Sequence, residues 1–289
     1  LGGQISHQSS WKKSVSEVYS DASISLDWTP RLKEECSKIG IDYFTSPYDI
    51  NFLNYLSNYV CAWKVGSGDI TWHEAISKMC DYNMPIFLAC GASNLEEVKY
   101  AMDLINNTGT DVCLMQCNTN YTASLENFKY ISLNVLNTFK REFPNAVLGI
   151  SDHTPGHATV LGAVALGASV VEKHYTNNNS AKGPDHKFSM MPTEWRDMVE
   201  RTRELELALG SEEKIVMDNE VDTVVVQRRA IRASTSIIKG EKFTRENLTV
   251  LRPCPKDGLP PYKLVDILDK KSKRNIKTGE VIHIEDFIK

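Results

Sequence analysis

The chain has 289 residues, about twice a common domain length, with 42% hydrophobic and 24% charged residues and five tryptophans. That composition excludes a disordered or fibrous chain and leaves ample material for a core. A net charge of −4 gives no electrostatic reason for a nucleic-acid partner. The absence of any long apolar run or signal-peptide plan points to a cytoplasmic protein without a membrane span.

The chain opens at Leu1 in a polar stretch without a methionine, which reads as the edge of a fragment. Short apolar runs then alternate with helical segments. Six of them, at 43–45, 62–65, 86–89, 112–116, 147–150 and 170–172, are candidate parallel strands. Thr29 and Pro30 read as the cap and first residue of a helix that stops at Gly40. Ser93-Asn-Leu-Glu96 reads as a capping box, followed by one apolar face at Leu95, Val98, Met102 and Ile105. Thr193 opens a further helix running to Gly210. Repeated βα units imply either a doubly wound sheet or a closed barrel. No Gly-x-Gly-x-x-Gly follows a strand, so a dinucleotide-binding sheet is disfavoured and a barrel fits better.

Past Gly210 a charged linker leads into short strand-like pieces, and a second domain begins near Val221. It carries an internal echo: Gly240-Glu241 and Gly279-Glu280 each sit where a turn is expected between short strands. Seven cysteines, an odd number without a Cys-x-x-Cys, read as reduced thiols, several of them in apolar runs.

Chemistry concentrates at two strand ends. Gly149-Ile-Ser-Asp-His153 and Val170-Val-Glu-Lys-His174 run out of apolar stretches into polar ones, where a barrel places its working groups. Alternation puts Ser151 and His153 on one face, Glu172 and His174 on the same face of the next strand, and Lys173 on the opposite side. Two imidazoles and a carboxylate suit a divalent ion such as Mn, Fe, Co or Zn; otherwise they are separate hydrogen-bonded barrel histidines. Lys64-Val-Gly-Ser67 offers an anion cradle, or simply a glycine-rich turn with a snorkelling lysine. Asp185, in Gly183-Pro-Asp-His-Lys187, can orient substrate hydroxyls or cap a turn. Asn118-Thr-Asn-Tyr121 offers amide, hydroxyl and phenol donors, while His157 and His283 read as structural or exposed.

Lys64-x-x-Ser67, Ser151-Asp-His-Thr154, Glu172-Lys-His174, Gly183-Pro-Asp-His186, Arg228-Arg229 and Arg252-Pro253, in that order and spacing, resemble the N-acetylneuraminate (sialic acid) synthase family. The resemblance implies an α/β fold: a (β/α)8 TIM-type barrel, here 1–215 and holding strands 3–8 of eight, then a small β-rich antifreeze-like (SAF) domain, 221–289. It implies a transferase that condenses phosphoenolpyruvate with an N-acyl hexosamine, N-acetylmannosamine or a relative, to a nine-carbon 2-keto sugar acid, releasing phosphate. His153 and His174 would hold Mn2+ or Mg2+, with Glu172 as general base or orienter. Lys64, Ser67 and Ser151 would bind phosphoenolpyruvate, and Tyr121 and Asp185 the sugar. Arg252 would reach across a domain-swapped homodimer.

The chain departs from the family at Ala89-Cys90-Gly91, where many members read Ser-Thr-Gly, and in having no counterpart of the family's first two strands. A barrel without them exposes sheet edges, so residues 1–289 alone are expected to be poorly stable and weakly active. Two rivals remain. A related sugar-phosphate synthase or aldolase is disfavoured by the C-terminal module. A binding protein that keeps the fold without turnover is made plausible by Ala89.

Overall fold

The computed structural model describes residue 8 and residues 12–121, 124–183 and 185–287. Residues 1–10 other than Gln8, and Pro184, lie outside the described residues. The chain divides into two compact units, Leu1–Gly210 and Ser211–Lys289.

The first unit begins with α1 (Val15–Ala22), α2 (Trp28–Ile39) and α3 (Leu53–Leu56). Thereafter strands and helices alternate: β1 (Trp63–Val65), α4 (His73–Cys80), β2 (Ile86–Ala89), α5 (Leu95–Thr108), β3 (Val112–Cys117), α6 (Val135–Glu142), β4 (Val147–Asp152), α7 (Ala158–Ala165), β5 (Val170–Lys173) and α8 (Pro192–Leu209). The strands form one parallel sheet in the order β1-β2-β3-β4-β5. The first of the six expected strands is reduced to a single parallel bridge, Thr45 to Trp63. Pro47, two residues on, cannot donate to a ladder, so the pairing stops there.

One face of the sheet carries the large core. Trp63, Ile86, Leu88, Leu114, Leu148 and Ile150 pack there with helix residues such as Ile76, Met102, Ile105, Leu136 and Phe139. The opposite face carries a smaller cluster, Phe87, Ala89, Cys113, Met115, Cys117 and Val170, with Phe44 stacked on Phe87 at 4.9 Å. Helices on one face alone are the mark of a barrel wall; a doubly wound sheet is covered on both. The described five-stranded arc is half of such a wall.

Three helix starts differ from the sequence reading; the smallest difference is α8, which begins at Pro192 with Met191 at its cap, so Thr193 is its second residue. Thr29 is the second residue of α2 and only 3% exposed, while Asp27 stands at the cap without a side-chain hydrogen bond. Pro30 is accordingly the third helical residue, where its missing N–H is still one that has no intrahelical acceptor. The capping box of α5 is formed by Asn94 and Glu97, one residue beyond Ser93 and Glu96. Asn94 competes well with Ser93 because its carbonyl reaches the Glu97 N–H, at 3.0 Å. Leu95, the first residue of α5, is exposed, and Ala101 joins Val98, Met102 and Ile105 in the buried face.

In the second unit, α9 (Val221–Gln227) precedes the antiparallel pair β6 (Ala230–Ala233) and β7 (Leu248–Leu251), followed by α10 (Leu264–Ile267). The Gly-Glu echo is a structural repeat. Gly240 and Gly279 both adopt left-handed φ, 89° and 82°, and each following glutamate accepts the N–H three residues upstream, Ile238 at 2.9 Å and Lys277 at 2.7 Å. Phe243 and Ile282, three residues after each glycine, are fully buried in one cluster, and the halves meet at an Ile237–Ile276 bridge.

Ile105 is 0% exposed and Leu95 36%. Ile105→Ala should therefore cost about 2–5 kcal/mol and Leu95→Ala under about 1 kcal/mol in urea unfolding of this chain. Equal losses would contradict the α5 register.

Candidate active site

The site is built by the pairing of β4 with β5, in which Ser151 lies opposite Glu172 and Asp152 opposite Lys173. Because strand side chains alternate, Ser151 and Glu172 share the face away from the helices. Ser151 Oγ donates to Glu172 Oε1 at 2.9 Å. From β1, Lys64 reaches the same carboxylate, its Nζ 3.7 Å from Glu172 Oε2, and also donates to the Val65 carbonyl at 3.0 Å. The lysine side chain is 9% exposed and the glutamate 39%, so this is a half-desolvated pair beside an open face.

Ser67 sits in the turn after β1 and accepts the Gly91 N–H at 2.9 Å. A side chain at 91 has no room: a Cβ there would stand 2.7 Å from Thr119 Cγ2, 3.0 Å from Ser67 Oγ and 3.1 Å from Cys117 Sγ. Cys117 lies opposite Ser151 in the β3–β4 pairing. Burial pushes its thiol above the usual range, as it does for Cys90 and Cys113, each pushed up to about 12. These thiols are inert at neutral pH.

One residue past the ladder, the two histidines converge. Their ring centroids are 5.2 Å apart. Tyr121 lies against His153 with its ring tilted, centroids 4.3 Å apart, and Phe188 stands edge-on to His174 at 4.8 Å. His153 is 5% exposed, and its Nδ1 lies 2.9 Å from the Asn118 carbonyl. A carbonyl only accepts, so the proton sits on Nδ1 and the Nε2 lone pair is left for another partner. Burial lowers His153 to about 4. It lowers His174 as well, outweighing Asp185 and Glu172 nearby. Asp185 Oδ2 is 3.6 Å from His174 Nδ1, in a loop held by Ser189 Oγ donating to the Asp185 carbonyl and by a Thr176–His186 bond, both 2.7 Å.

Of the residues singled out in the sequence, Lys64, Ser67, Tyr121, Ser151, His153, Glu172, His174 and Asp185 therefore all lie at the strand ends of the first unit. Arg252 belongs to the second unit, where it is exposed and its Nε–H donates to the Gln227 carbonyl at 2.5 Å. His157 and His283 pair with Asp197 and Asp257 at 3.2 and 3.4 Å. Among the described residues no group of three or more His, Cys, Asp and Glu side chains forms a metal cage. The donor set at hand is two neutral imidazoles, one oriented by a backbone carbonyl, which fits a divalent ion completed by substrate and water oxygens.

Four contributors escaped the sequence reading. Gly91 and Cys117 looked like ordinary turn and core residues, and Phe188 has no spacing that announces it. The fourth, the Asp152–Lys173 pair, was visible in principle. If Ser151 faces Glu172 in a parallel pair, their successors must face each other too.

Residues 3–214 match the model of the NeuB family, and residues 228–288 that of the SAF domain. The chain belongs to the NeuB family. An uncharacterised protein of Methanocaldococcus jannaschii is 34% identical over 279 residues, 96% of this chain and 81% of its own length. The N,N'-diacetyllegionaminic acid synthase of Legionella pneumophila is 32% identical over 263 residues, covering 88% and 72%. Among solved structures, the N-acetylneuraminic acid synthetase of Leptospira borgpetersenii superposes with a TM-score of 0.67 at 26% identity, over 72% of each chain. This NeuB-family chain is thus similar to sugar-acid synthases, and it pairs the NeuB unit with a SAF domain.

The depressed His153 has a thermodynamic consequence. Its unfolded form takes a proton near pH 6.5, whereas the folded form resists protonation down to about 4. Stability is therefore complete above about pH 6.5 and falls by up to about 3 kcal/mol as pH drops toward 4. Urea midpoints between pH 7 and 4 should show this loss, and His153→Gln should flatten it. An equal slope in the variant would contradict a buried neutral imidazole.

Proposed function

We propose that this NeuB-family chain is a transferase that joins phosphoenolpyruvate to an N-acyl hexosamine, N-acetylmannosamine or a relative. The observation that carries the reading is a pair of neutral, converging imidazoles beside the Lys64–Glu172–Ser151 cluster, in a chain similar to a named legionaminic acid synthase. Three carbons of phosphoenolpyruvate added to a six-carbon aldehyde make a nine-carbon acid. C3 of the enol bonds to the aldehyde carbon, the aldehyde oxygen takes a proton, water adds at C2, and phosphate leaves to give the 2-ketone.

Each residue has a matching task. The Lys64 ammonium and the Ser67 and Ser151 hydroxyls bind the phosphate and carboxylate of phosphoenolpyruvate. Ser67 is suited to donate, because Gly91 already occupies one of its oxygen lone pairs. Ser151 donates to Glu172 in the free protein and turns that one proton to phosphoenolpyruvate when it binds, which leaves Glu172, beside Lys64, to orient the attacking water and take its proton. Tyr121 and Asp185 face the sugar, and in a domain-swapped homodimer Arg252 of the partner subunit contacts its acyl group. His153 and His174 would hold Mn2+ or Mg2+, Mn being better suited to imidazole nitrogen; bound there, the ion supplies Lewis acidity toward the aldehyde oxygen.

The test is an assay of the protein expressed from its complete reading frame, with Mn2+, phosphoenolpyruvate and a panel of N-acyl hexosamines, following inorganic phosphate. Phosphate release should require both substrates, and Glu172→Gln should lower kcat by about 100-fold or more while phosphoenolpyruvate still binds. Binding of phosphoenolpyruvate without turnover of any sugar would instead identify a binding protein.

A further inference from the structure

On the helix side of the sheet, directly behind the two histidines, lies an ion pair that the proposed chemistry does not use. Lys173 Nζ is 2.6 Å from Asp152 Oδ2, and the two side chains are 2% and 0% exposed. The same ammonium donates to the Thr154 carbonyl at 2.6 Å. Thr154 donates its N–H and its hydroxyl to Asp152 Oδ1, at 3.0 and 2.9 Å. Thr159, in the first turn of α7, donates its hydroxyl to Asp152 Oδ2. The knot thus contains both neighbours of His153 and the residue between Glu172 and His174.

Two physical points decide what this knot does. A buried ion pair contributes little net stability compared with an apolar pair of the same volume, because both charges lose their water. Its effect is therefore sought in geometry. The β4–β5 ladder ends at the Asp152–Lys173 pairing, so beyond it no backbone pairing of these strands ties His153 to His174. A slip of β5 by one residue against β4, which β3 holds on its other side, would turn Glu172 and His174 toward the helices and away from Ser151 and His153. In that register Asp152 and Lys173 would lose each other.

We infer that Asp152 and Lys173 are a positioning pair: locked behind the sheet, they set the spacing of the His153 and His174 rings and the Ser151–Glu172 hydrogen bond. The inference rests on the proposed function only where it concerns metal. Neither residue touches substrate.

Two variants test it. Lys173→Met alone would leave Asp152 buried and unpaired, which can abolish folding, so the deciding change is Asp152→Asn with Lys173→Met, which leaves no buried charge. Lys173→Arg keeps the charge and serves as the rescue. In the metal-free protein, the histidine ring resonances are displaced by the ring currents of Tyr121 and Phe188, which lie 4.3 Å from His153 and 4.8 Å from His174. The double variant should keep a urea midpoint near that of the parent while these resonances move toward unfolded positions, and Mn2+ affinity, by calorimetry, should fall about 10- to 100-fold. Lys173→Arg should retain both. Native histidine resonances in the double variant would overturn the inference, as would a double variant that does not fold, since the pair would then be a stability element. A parent protein that does not bind Mn2+ counts against the functional reading alone, because the ring resonances are read without metal.

Discussion

Everything at this site hangs on the register of β4 against β5. Parallel pairing of Ser151 with Glu172 and Asp152 with Lys173 sends alternate side chains to opposite faces. One face receives the hydrogen-bonded serine and glutamate and, a residue further on, two imidazoles. The other receives a buried ion pair. Close approach inside the wall depends on Gly149, where a Cβ would stand about as near as packing allows to Cys113, Met115 and the Val170 carbonyl, at 3.0–3.1 Å. A larger residue there would push β4 off its neighbours on both sides.

The same alternation separates charges that would otherwise compete. Lys64 faces Glu172 on the open side, and Lys173 faces Asp152 on the closed side, with the sheet between them. The open pair, 3.7 Å apart and half-solvated on the carboxylate side, can be re-paired by an anionic ligand at modest cost. The closed pair at 2.6 Å cannot, because exposing either charge alone is expensive. Between the two, the histidines remain neutral through burial, which keeps their nitrogen lone pairs available instead of protonated.

Much of this was legible in the sequence because it follows from periodicity. The two-residue repeat places Ser151 with His153 and Glu172 with His174, and the apolar-to-polar transition places them at strand ends. Five of the six candidate strands are strands; the segment at 43–45 fails because its pairing ends at Pro47. Helix starts were read one or two residues wrong at Thr29 and Ser93, since neighbouring Asp, Asn, Ser and Thr residues all make acceptable caps and tertiary burial chooses among them. Phe188 was not legible at all, and Gly91 was legible only as the end of the Ala89-Cys90-Gly91 turn, without its packing role. Each matters through contacts that join distant segments, Phe188 against His174 and Gly91 against Thr119, and no local pattern encodes those.

Two neutral imidazoles, placed by one strand register, converge at the strand ends, and the proposed function gives them one cation to share. Anomalous diffraction at the manganese absorption edge, from crystals grown with Mn2+, addresses it directly. A single anomalous peak in contact with both the His153 and His174 rings is the predicted result. A peak elsewhere, or none at the pair under conditions where the protein binds the ion, would contradict the account.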